Sequence, residues 1–335
     1  MPASVPAQQP ATTGLIDHYR THARVLPWRA APGAPKTDPY RVWLSEVMLQ
    51  QTTVATVVPR FERFVERWPS VEALAAAPDE QVLQEWAGLG YYARARNLIA
   101  CARVVAASGG FPDSEAGLRA LPGIGDYTAA AIAAIAFGRD SMPVDTNIER
   151  VVARLEATSD KAAIRAAAAA LVPAGQAGDF AQAMMDLGAT ICRPRAPDCL
   201  ACPLQVDCKA FAMGTPDAFP VKAARKVRPI RYGAVHWIER DGAVWLVRRP
   251  AKGLLGGMAA LPGPEWGESP WSAPALAEVR HVFTHFELRL AVIAGGAAEG
   301  DGWWQPVDRM AEAGLPTLYA RAVEAVLGQR RPLAA

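Results

Sequence analysis

The sequence has no uninterrupted apolar run long enough to cross a membrane, almost no excess of one charge and few cysteines. A membrane-spanning helix needs about 18 or more consecutive apolar residues, so a transmembrane protein is excluded. Lys and Arg number 35 against 33 Asp and Glu, which leaves a net charge of +2 over 335 residues. The chain is therefore not a polycation, and any nucleic-acid binding must come from local patches and backbone donors.

The N-terminus also lacks a basic start followed by an apolar core, and we therefore do not expect it to be a secretory signal. Residues 1–13 are predicted to be a disordered lead-in to a cytoplasmic protein. Hydrophobic residues at 51% and charged residues at 20% are an ordinary globular composition for the rest. At about 150 residues per domain, the length predicts two domains.

Cysteine is scarce and unevenly placed. Cys101 stands alone in an apolar helical run and is predicted to be a core thiol. The other four have the spacing C-x6-C-x2-C-x5-C, which suits a metal or cluster site better than a disulfide scaffold. Four thiolates can enclose zinc or hold a 4Fe–4S cluster, and the unequal spacing favours the cluster without excluding zinc. These residues are Cys192, Cys199, Cys202 and Cys208.

Two regions of different character are predicted along the chain. Apolar residues recur at helical spacing through residues 14–213, where Asp38 and Pro39 open a helix running to about Thr53. A basic linker follows over 214–229, and it either contacts phosphates or is a solvated tether. Residues 230–330 then form a small α+β domain.

Alternating apolar residues predict the strands of that second domain. Segments 234–238 and 243–247 flank a turn at 240–242 and predict a hairpin. Residues 281–292 alternate as a further strand, and a last helix covers about 317–327.

A proline–glycine turn at residues 121–125 joins two predicted helices within about 114–138. Gly123 and Gly125 would let backbone N–H groups point outward together at a helix N-terminus, which suits a phosphate. The same turn also occurs as an ordinary connection between helices.

Two carboxylates stand out by their surroundings. Glu46 interrupts an apolar run, so it is either salt-bridged or kept protonated by burial, which would make it a general acid. Asp145 lies at a helix start, where aspartate is an expected cap. A protonated and an ionised carboxyl together are what glycoside hydrolysis requires.

These features, in this order, resemble the helix–hairpin–helix DNA glycosylases that carry an iron–sulfur loop, and in particular their adenine-specific branch. The resemblance covers about residues 15–327, and it favours the 4Fe–4S cluster over zinc. It implies a mainly α N-terminal helix–hairpin–helix glycosylase region with a 4Fe–4S loop, plus a C-terminal α+β MutT/Nudix-like domain. The matching segments are residues 43–52, 88–98, 121–128, 144–154 and the cysteine loop 192–208.

The resemblance implies roles for the residues of the first region. Glu46 protonates a flipped-out adenine at N7 and helps to activate water, and Asp145 stabilises the oxocarbenium character at C1′. Asn147 supports the sugar and the carboxylate, although Thr146 replaces the glycine usual beside them. Tyr127 stands where relatives with strand-cutting activity have a lysine, and a phenol cannot form an imine, so no lyase step is expected.

Contacts with the duplex are implied in both regions. Gln51 and Tyr91 resemble residues that wedge beside the target pair, Leu89 lies in the Tyr91 segment, and Gly123 and Gly125 face phosphate. In the C-terminal domain, the implied reader of 8-oxoguanine consists of Phe283, Thr284 and His285.

Thr284 occupies a position where the family often has serine, and its hydroxyl can make the same hydrogen bonds. Residues 254–258 also match that domain's motifs, while 258–261 depart from its usual aromatic and acidic run. The clustered acidic box of nucleotide-hydrolysing Nudix enzymes is absent, so the domain is expected to read DNA and not to hydrolyse nucleotides.

The expected function is base-excision repair by a monomer that removes adenine from A:8-oxoguanine or A:G mispairs in double-stranded DNA, with no membrane partner. Two alternatives stay open. One is an endonuclease III-like glycosylase and lyase, and the other is a non-catalytic, redox-sensing DNA-binding protein.

Overall fold

The structure, a computed structural model, describes residues 10–221, 227–250 and 253–330. It divides into two compact units, of which the first consists of Met1–Ala76 and Asn97–Ala224. The second unit combines Ala77–Arg96 with Arg225–Ala335, so a short helical segment clusters with the C-terminal residues. No helix in the described part of the chain is both long and apolar enough to cross a bilayer.

The first unit is helical, as the spacing of its apolar residues predicts. Its helices, together with the two that lie in or enter the segment Ala77–Arg96, are α1 (Pro10–His22), α2 (Pro39–Leu49), α3 (Val54–Arg67), α4 (Val71–Ala76), α5 (Asp79–Glu85), α6 (Ala93–Ala107), α7 (Glu115–Arg119), α8 (Asp126–Phe137), α9 (Thr146–Glu156), α10 (Lys161–Ala170), α11 (Ala177–Thr190) and α12 (Lys209–Ala212). Helix α8 is buried along its length from Thr128 to Ala136, because alanine and isoleucine occupy every side of it.

The second unit contains two small sheets and a closing helix. Its strands are β1 (Ile230–Trp237), β2 (Glu239–Arg240), β3 (Ala243–Arg248), β4 (Ala259–Ala260), β5 (Ala277–Val282), β6 (Glu287–Ala294) and β7 (Gly302–Pro306), and the helix is α13 (Thr317–Arg330). One sheet has the order β1-β6-β5, and in the other β3 pairs with β2, β4 and β7. Leu246 and Leu290, from different sheets, share one core with Tyr319 of α13.

Two strand predictions differ from the structure. The predicted hairpin forms next to its turn, where Glu239 and Arg240 pair with β3 and Trp245 N–H donates to the Ile238 carbonyl (2.9 Å). Residues 234–237 do not take part in it, because they belong to β1, which joins β6 in parallel. Residues 281–292 are not one strand, because Phe283 N–H donates to the Phe286 carbonyl (2.9 Å) and reverses the chain. Alternation continues on both sides of this reversal, so period alone does not reveal it.

Several predicted boundaries also shift. Helix α2 ends at Leu49 and not near Thr53, because Thr53 is the N-cap of α3. Helix α1 begins at Pro10, inside the predicted disordered lead-in, of which residues 1–9 lie outside the described range. Residues 222–226 of the basic linker also lie outside it.

Candidate active site

Glu46 lies on α2 at the edge of a cavity of about 680 Å³ in the first unit. Its side chain is buried, with the residue only 7% exposed, because apolar neighbours on α2 pack into the core. Burial raises the pKa of Glu46 to about 7, and the nearby Asp145 adds to the rise. A hydrogen bond with Tyr127 and the charge of Arg29 oppose it. The carboxyl therefore holds a proton near neutral pH, as a general acid must.

Asp145 is anchored as the N-cap of α9. One carboxylate oxygen accepts from Asn147 N–H (2.9 Å) and Ile148 N–H (2.7 Å), and the other accepts from the Asn147 side-chain amide (2.8 Å). The helix N-terminus stabilises negative charge at this position. The expected cap and the predicted catalytic carboxylate are thus the same residue, held in one orientation.

A second layer fixes Asn147. Arg150 donates to the Asn147 side-chain oxygen (2.9 Å), to the Gly188 carbonyl (2.6 Å) and to the Cys192 carbonyl (2.7 Å). A Cβ on Gly188 would lie 2.6 Å from the Asn147 Cβ. Only glycine at this position therefore allows α11 to pack so closely against the start of α9. The candidate site is therefore connected through Arg150 to the cysteine loop.

Glu46, Tyr127, Asp145, Asn147 and Gln51 all line this cavity. Tyr127 is deeply buried, and burial together with the nearby Glu46 raises its pKa well above the ordinary value, so its hydroxyl stays protonated. Thr146 also lines the cavity, at the start of α9.

The cavity has further polar residues that the sequence motifs did not indicate. Arg24, Arg29 and Gln182 line it, and the buried Asp186 binds both arginines. Gln182 presents a buried side-chain oxygen for which the described residues provide no hydrogen-bond partner. One sequence pattern could have indicated Asp186, and it is the pattern that indicated Glu46: a charged residue within an apolar helical run. Asp186 lies between the apolar residues Met185 and Leu187.

Gln51 and the glycine turn are the other predicted DNA contacts of the first unit. Gln51 is exposed and has a left-handed φ of 58°, which a non-glycine side chain rarely adopts. Gly123 has φ 74°, and a Cβ there would lie 2.6 Å from the Asn97 Cβ. Gly125 is the N-cap of α8, and because glycine has no side chain, the first N–H groups of α8 receive no side-chain cap. No atom lies within 4 Å of the position that a Cβ on Gly125 would occupy.

In the second unit, the structure brings two predicted contact residues together. The Tyr91 and Thr284 hydroxyls form a hydrogen bond of 2.7 Å, and Tyr91 has a left-handed φ of 48°. Thr284 and His285 are exposed in the turn between β5 and β6, and the half-buried Phe283 packs on Phe286. Leu89 is only 4% exposed.

The four clustered cysteines line a second, smaller cavity in the first unit. Arg154 donates to the Cys192 sulfur (3.2 Å), and none of the four thiols is in a disulfide. Among the described residues, no group of three or more His, Cys, Asp or Glu has the arrangement of a metal-ion site. The structure therefore gathers four sulfur donors around one space without converging them on a single ion.

Two family models match the chain. Residues 44–174 match the HhH-GPD superfamily of base excision DNA repair proteins, and residues 233–325 match the NUDIX domain. Among solved structures, a thermostable thymine-DNA glycosylase is 30% identical with a TM-score of 0.55, covering 60% of this chain and 95% of its own. An endonuclease III–DNA complex, at 24% identity and a TM-score of 0.52, has the same fold over 61% of this chain and 94% of its own. The first unit is thus a helix–hairpin–helix glycosylase fold.

Curated relatives identify the branch of this superfamily. The adenine DNA glycosylase of Homo sapiens is 36% identical over 85% of this chain and 66% of its own length. That of Mus musculus is 35% identical over 84% of this chain and 69% of its own, and that of Arabidopsis thaliana is 37% identical over 74% and 46%. The chain thus spans about half to two thirds of these relatives. It belongs to the adenine DNA glycosylase family.

Proposed function

We propose that this protein hydrolyses the N-glycosidic bond of adenine mispaired with 8-oxoguanine or guanine in double-stranded DNA, as a monofunctional base-excision glycosylase. The observation that carries the proposal is the pair of unlike carboxyls in one cavity. Glu46 is buried with a pKa of about 7, and Asp145 is held by three hydrogen-bond donors. Family membership supports adenine as the base.

Glu46 begins the reaction as a general acid. Its proton passes to N7 of the adenine in the cavity, the C1′–N9 bond breaks, and the bonding electrons leave with the base. Because burial raises the pKa of Glu46 to about 7, the carboxyl can hold the required proton near neutral pH. Adenine must first be flipped from the duplex, because the cavity cannot reach a stacked base.

Asp145 stabilises the positive charge that develops on the deoxyribose. Its orientation is fixed before the reaction, so no reorganisation is needed as the charge appears. Glu46, now ionised, accepts a proton from the water that attacks C1′, which regenerates the acid. The products are free adenine and an apurinic site.

Tyr127 supports the absence of a strand-cutting step. Its hydroxyl is hydrogen-bonded to Glu46 and cannot form the imine that a lysine amine would form with C1′. Water is therefore the final nucleophile.

Gln182 supports selection of adenine over guanine within the same cavity. Its buried side-chain oxygen is an acceptor without a partner among the described residues, and leaving it unpaired has a cost. The 6-amino group of adenine is a donor that would satisfy it, whereas guanine has an acceptor at that position.

Gln51 and Tyr91 are proposed to wedge into the duplex. Both have left-handed backbone conformations, and strain of this kind concentrates at functional positions. The uncapped start of α8 after Gly123 and Gly125 is proposed to bind a phosphate. Phe283, Thr284 and His285 complete the proposed DNA contacts and read 8-oxoguanine. Leu89 is only 4% exposed in this structure and is therefore not proposed as a direct contact.

Cys192, Cys199, Cys202 and Cys208 are proposed to hold a 4Fe–4S cluster. Four free thiols around one cavity are the donor set that such a cluster requires, and family membership supports it. When bound, the cluster would cross-link the loop 192–208 through bonds to its four cysteine sulfurs.

We also propose that the protein acts as a monomer in the cytoplasm and is nucleoid-associated when it binds DNA. Size-exclusion chromatography of the purified chain, together with cell fractionation, tests this. A dimer at micromolar concentration or recovery in the membrane fraction would contradict it.

A single-turnover assay on an A:8-oxoguanine duplex, with and without alkali, tests the reaction. We expect strand cleavage only after alkali, since the enzyme leaves an abasic site intact. Spontaneous nicking would establish the lyase alternative instead. Tight binding with no cleavage after alkali would establish the non-catalytic alternative.

A further inference from the structure

Asp186 connects two distant parts of the first unit. It lies on α11 and is 7% exposed. One carboxylate oxygen accepts from Arg24 Nε (2.6 Å) and an Arg29 terminal nitrogen (2.8 Å), and the other accepts from Arg24 N–H (3.0 Å) and the same Arg29 nitrogen (2.9 Å). Four hydrogen bonds satisfy a buried charge that would otherwise be strongly disfavoured.

Arg29 is the member of this network whose charge acts on the proposed acid. Its side chain is only 8% exposed, it lines the cavity, and its charge lowers the pKa of Glu46. Arg29 therefore has two carboxyls within electrostatic reach, and the structure pairs it with Asp186.

This pairing matters because a direct Arg29–Glu46 ion pair would abolish general acid catalysis. Such a pair favours the ionised carboxylate and would release the proton that adenine must receive. The other groups that act on Glu46 are Tyr127 from α8 and Asp145 from the start of α9. Neither of them is a cation. The other cation that lines the cavity is Arg24, and Asp186 binds it as well, through the Arg24 Nε (2.6 Å).

We propose that Asp186 is a positioning residue that holds the Arg29 guanidinium in a buried salt bridge and so keeps it from pairing with Glu46. Asp186 acts through Arg29 and does not touch the reacting atoms. The inference rests on the proposed function, because it assigns Asp186 a part in the proton transfer from Glu46.

The test is the pH profile of single-turnover adenine excision for Asp186→Asn. Releasing Arg29 toward Glu46 should move the fall in rate to lower pH by about one unit, so the rate at pH 7.5 drops about tenfold. Near pH 5 the rate should approach that of the wild type. Asp186→Glu keeps the charge and should restore most of the neutral-pH rate.

Arg29→Gln provides a second variant with the opposite expectation. Removing the cation should move the fall in rate to higher pH, because only the hydrogen bond with Tyr127 then remains to lower the pKa of Glu46. This variant keeps the proposal testable if Asp186→Asn fails to fold, which a thermal melt would detect.

Asp179→Asn is the matched control. Asp179 lies on the same helix and accepts a hydrogen bond from Gly33 N–H (3.1 Å), with no bond to Arg29. Its profile should keep the wild-type midpoint. If Asp186→Asn lowers the rate equally at all pH values, or if it and Arg29→Gln shift the midpoint in the same direction, the inference is overturned. Lack of excision by the wild type would instead overturn the proposed function.

Discussion

At the residue scale, the proposed role of Glu46 places two opposing requirements on its pKa, and the surroundings of the side chain meet both. A carboxyl acid must hold its proton near neutral pH and then lose it within one turnover. Burial raises the pKa, so the carboxyl can hold its proton near neutral pH. The hydrogen bond with Tyr127 and the charge of Arg29 lower the pKa, so the carboxyl can still release that proton. A fully apolar pocket would hold the proton too tightly to release it.

We expect Glu46→Gln to abolish adenine excision, with a loss of at least about a thousandfold, because the amide cannot donate a proton as the carboxyl does. Duplex binding, measured by fluorescence anisotropy, should change little. An active variant would show that another group is the acid, and an unfolded one would show that the carboxyl is structural.

The same substitution should change the pH dependence of stability. The folded pKa of Glu46, about 7, lies above its ordinary 4.5, so the unfolded chain loses this proton first as pH rises. Wild-type stability should therefore fall between these values, by up to about 3 kcal/mol, and the Glu46→Gln variant should not share this fall. Urea unfolding at pH 5 and pH 8 measures the difference, and an equal difference between the two proteins at both pH values would contradict it.

At the scale of elements, the two glycines of the turn before α8 have different structural roles. Gly123 needs its left-handed conformation and the space beside Asn97, whereas Gly125 has an ordinary φ of −92° and no atom near its missing Cβ. The first glycine serves the packing of the turn, and the second keeps its surface open.

We therefore expect Gly123→Ala to lower the free energy of unfolding by about 1–3 kcal/mol. Gly125→Ala should keep stability within about 0.5 kcal/mol and reduce duplex affinity, because its methyl group faces the proposed phosphate. Denaturant unfolding and anisotropy separate the two effects. Equal stability losses would contradict this division of roles.

At the scale of the whole molecule, the cysteine loop and the proposed site belong to one packed unit. Arg154 contacts the loop at Cys192, and Arg150 joins the loop to Asn147. Loss of the cluster should therefore disturb the cavity that Asn147 lines, where the proposal places the flipped base.

We expect Cys199→Ser to lose the broad visible absorbance of a 4Fe–4S cluster and to bind DNA more weakly. Cys101→Ala is the control, since Cys101 is buried in α6 and does not line the cavity of the four clustered cysteines. It should keep the wild-type iron content and affinity. Unchanged iron in Cys199→Ser would refute the ligand assignment.

Sequence patterns predicted the helical first unit and the α+β second unit because each depends on periodicity along the chain. The N-cap at Asp38 followed by Pro39 is such a local signal, and α2 begins there. The parallel pairing of β1 with β6 was missed, because it joins segments that local alternation does not relate.

The sequence by itself determined which chemical groups are present and where along the chain they fall: two carboxyls of unlike setting, a phenol in place of an amine, and four thiols in one loop. Local backbone preferences and side-chain chemistry are properties of neighbouring residues, so they can be read directly. Only the tertiary structure decided how these groups behave. The raised pKa of Glu46 comes from burial, and the pairing of Asp186 with Arg24 and Arg29 joins positions 162 and 157 residues apart. Electrostatic energies depend on distance and solvent exposure in space, which no local pattern specifies.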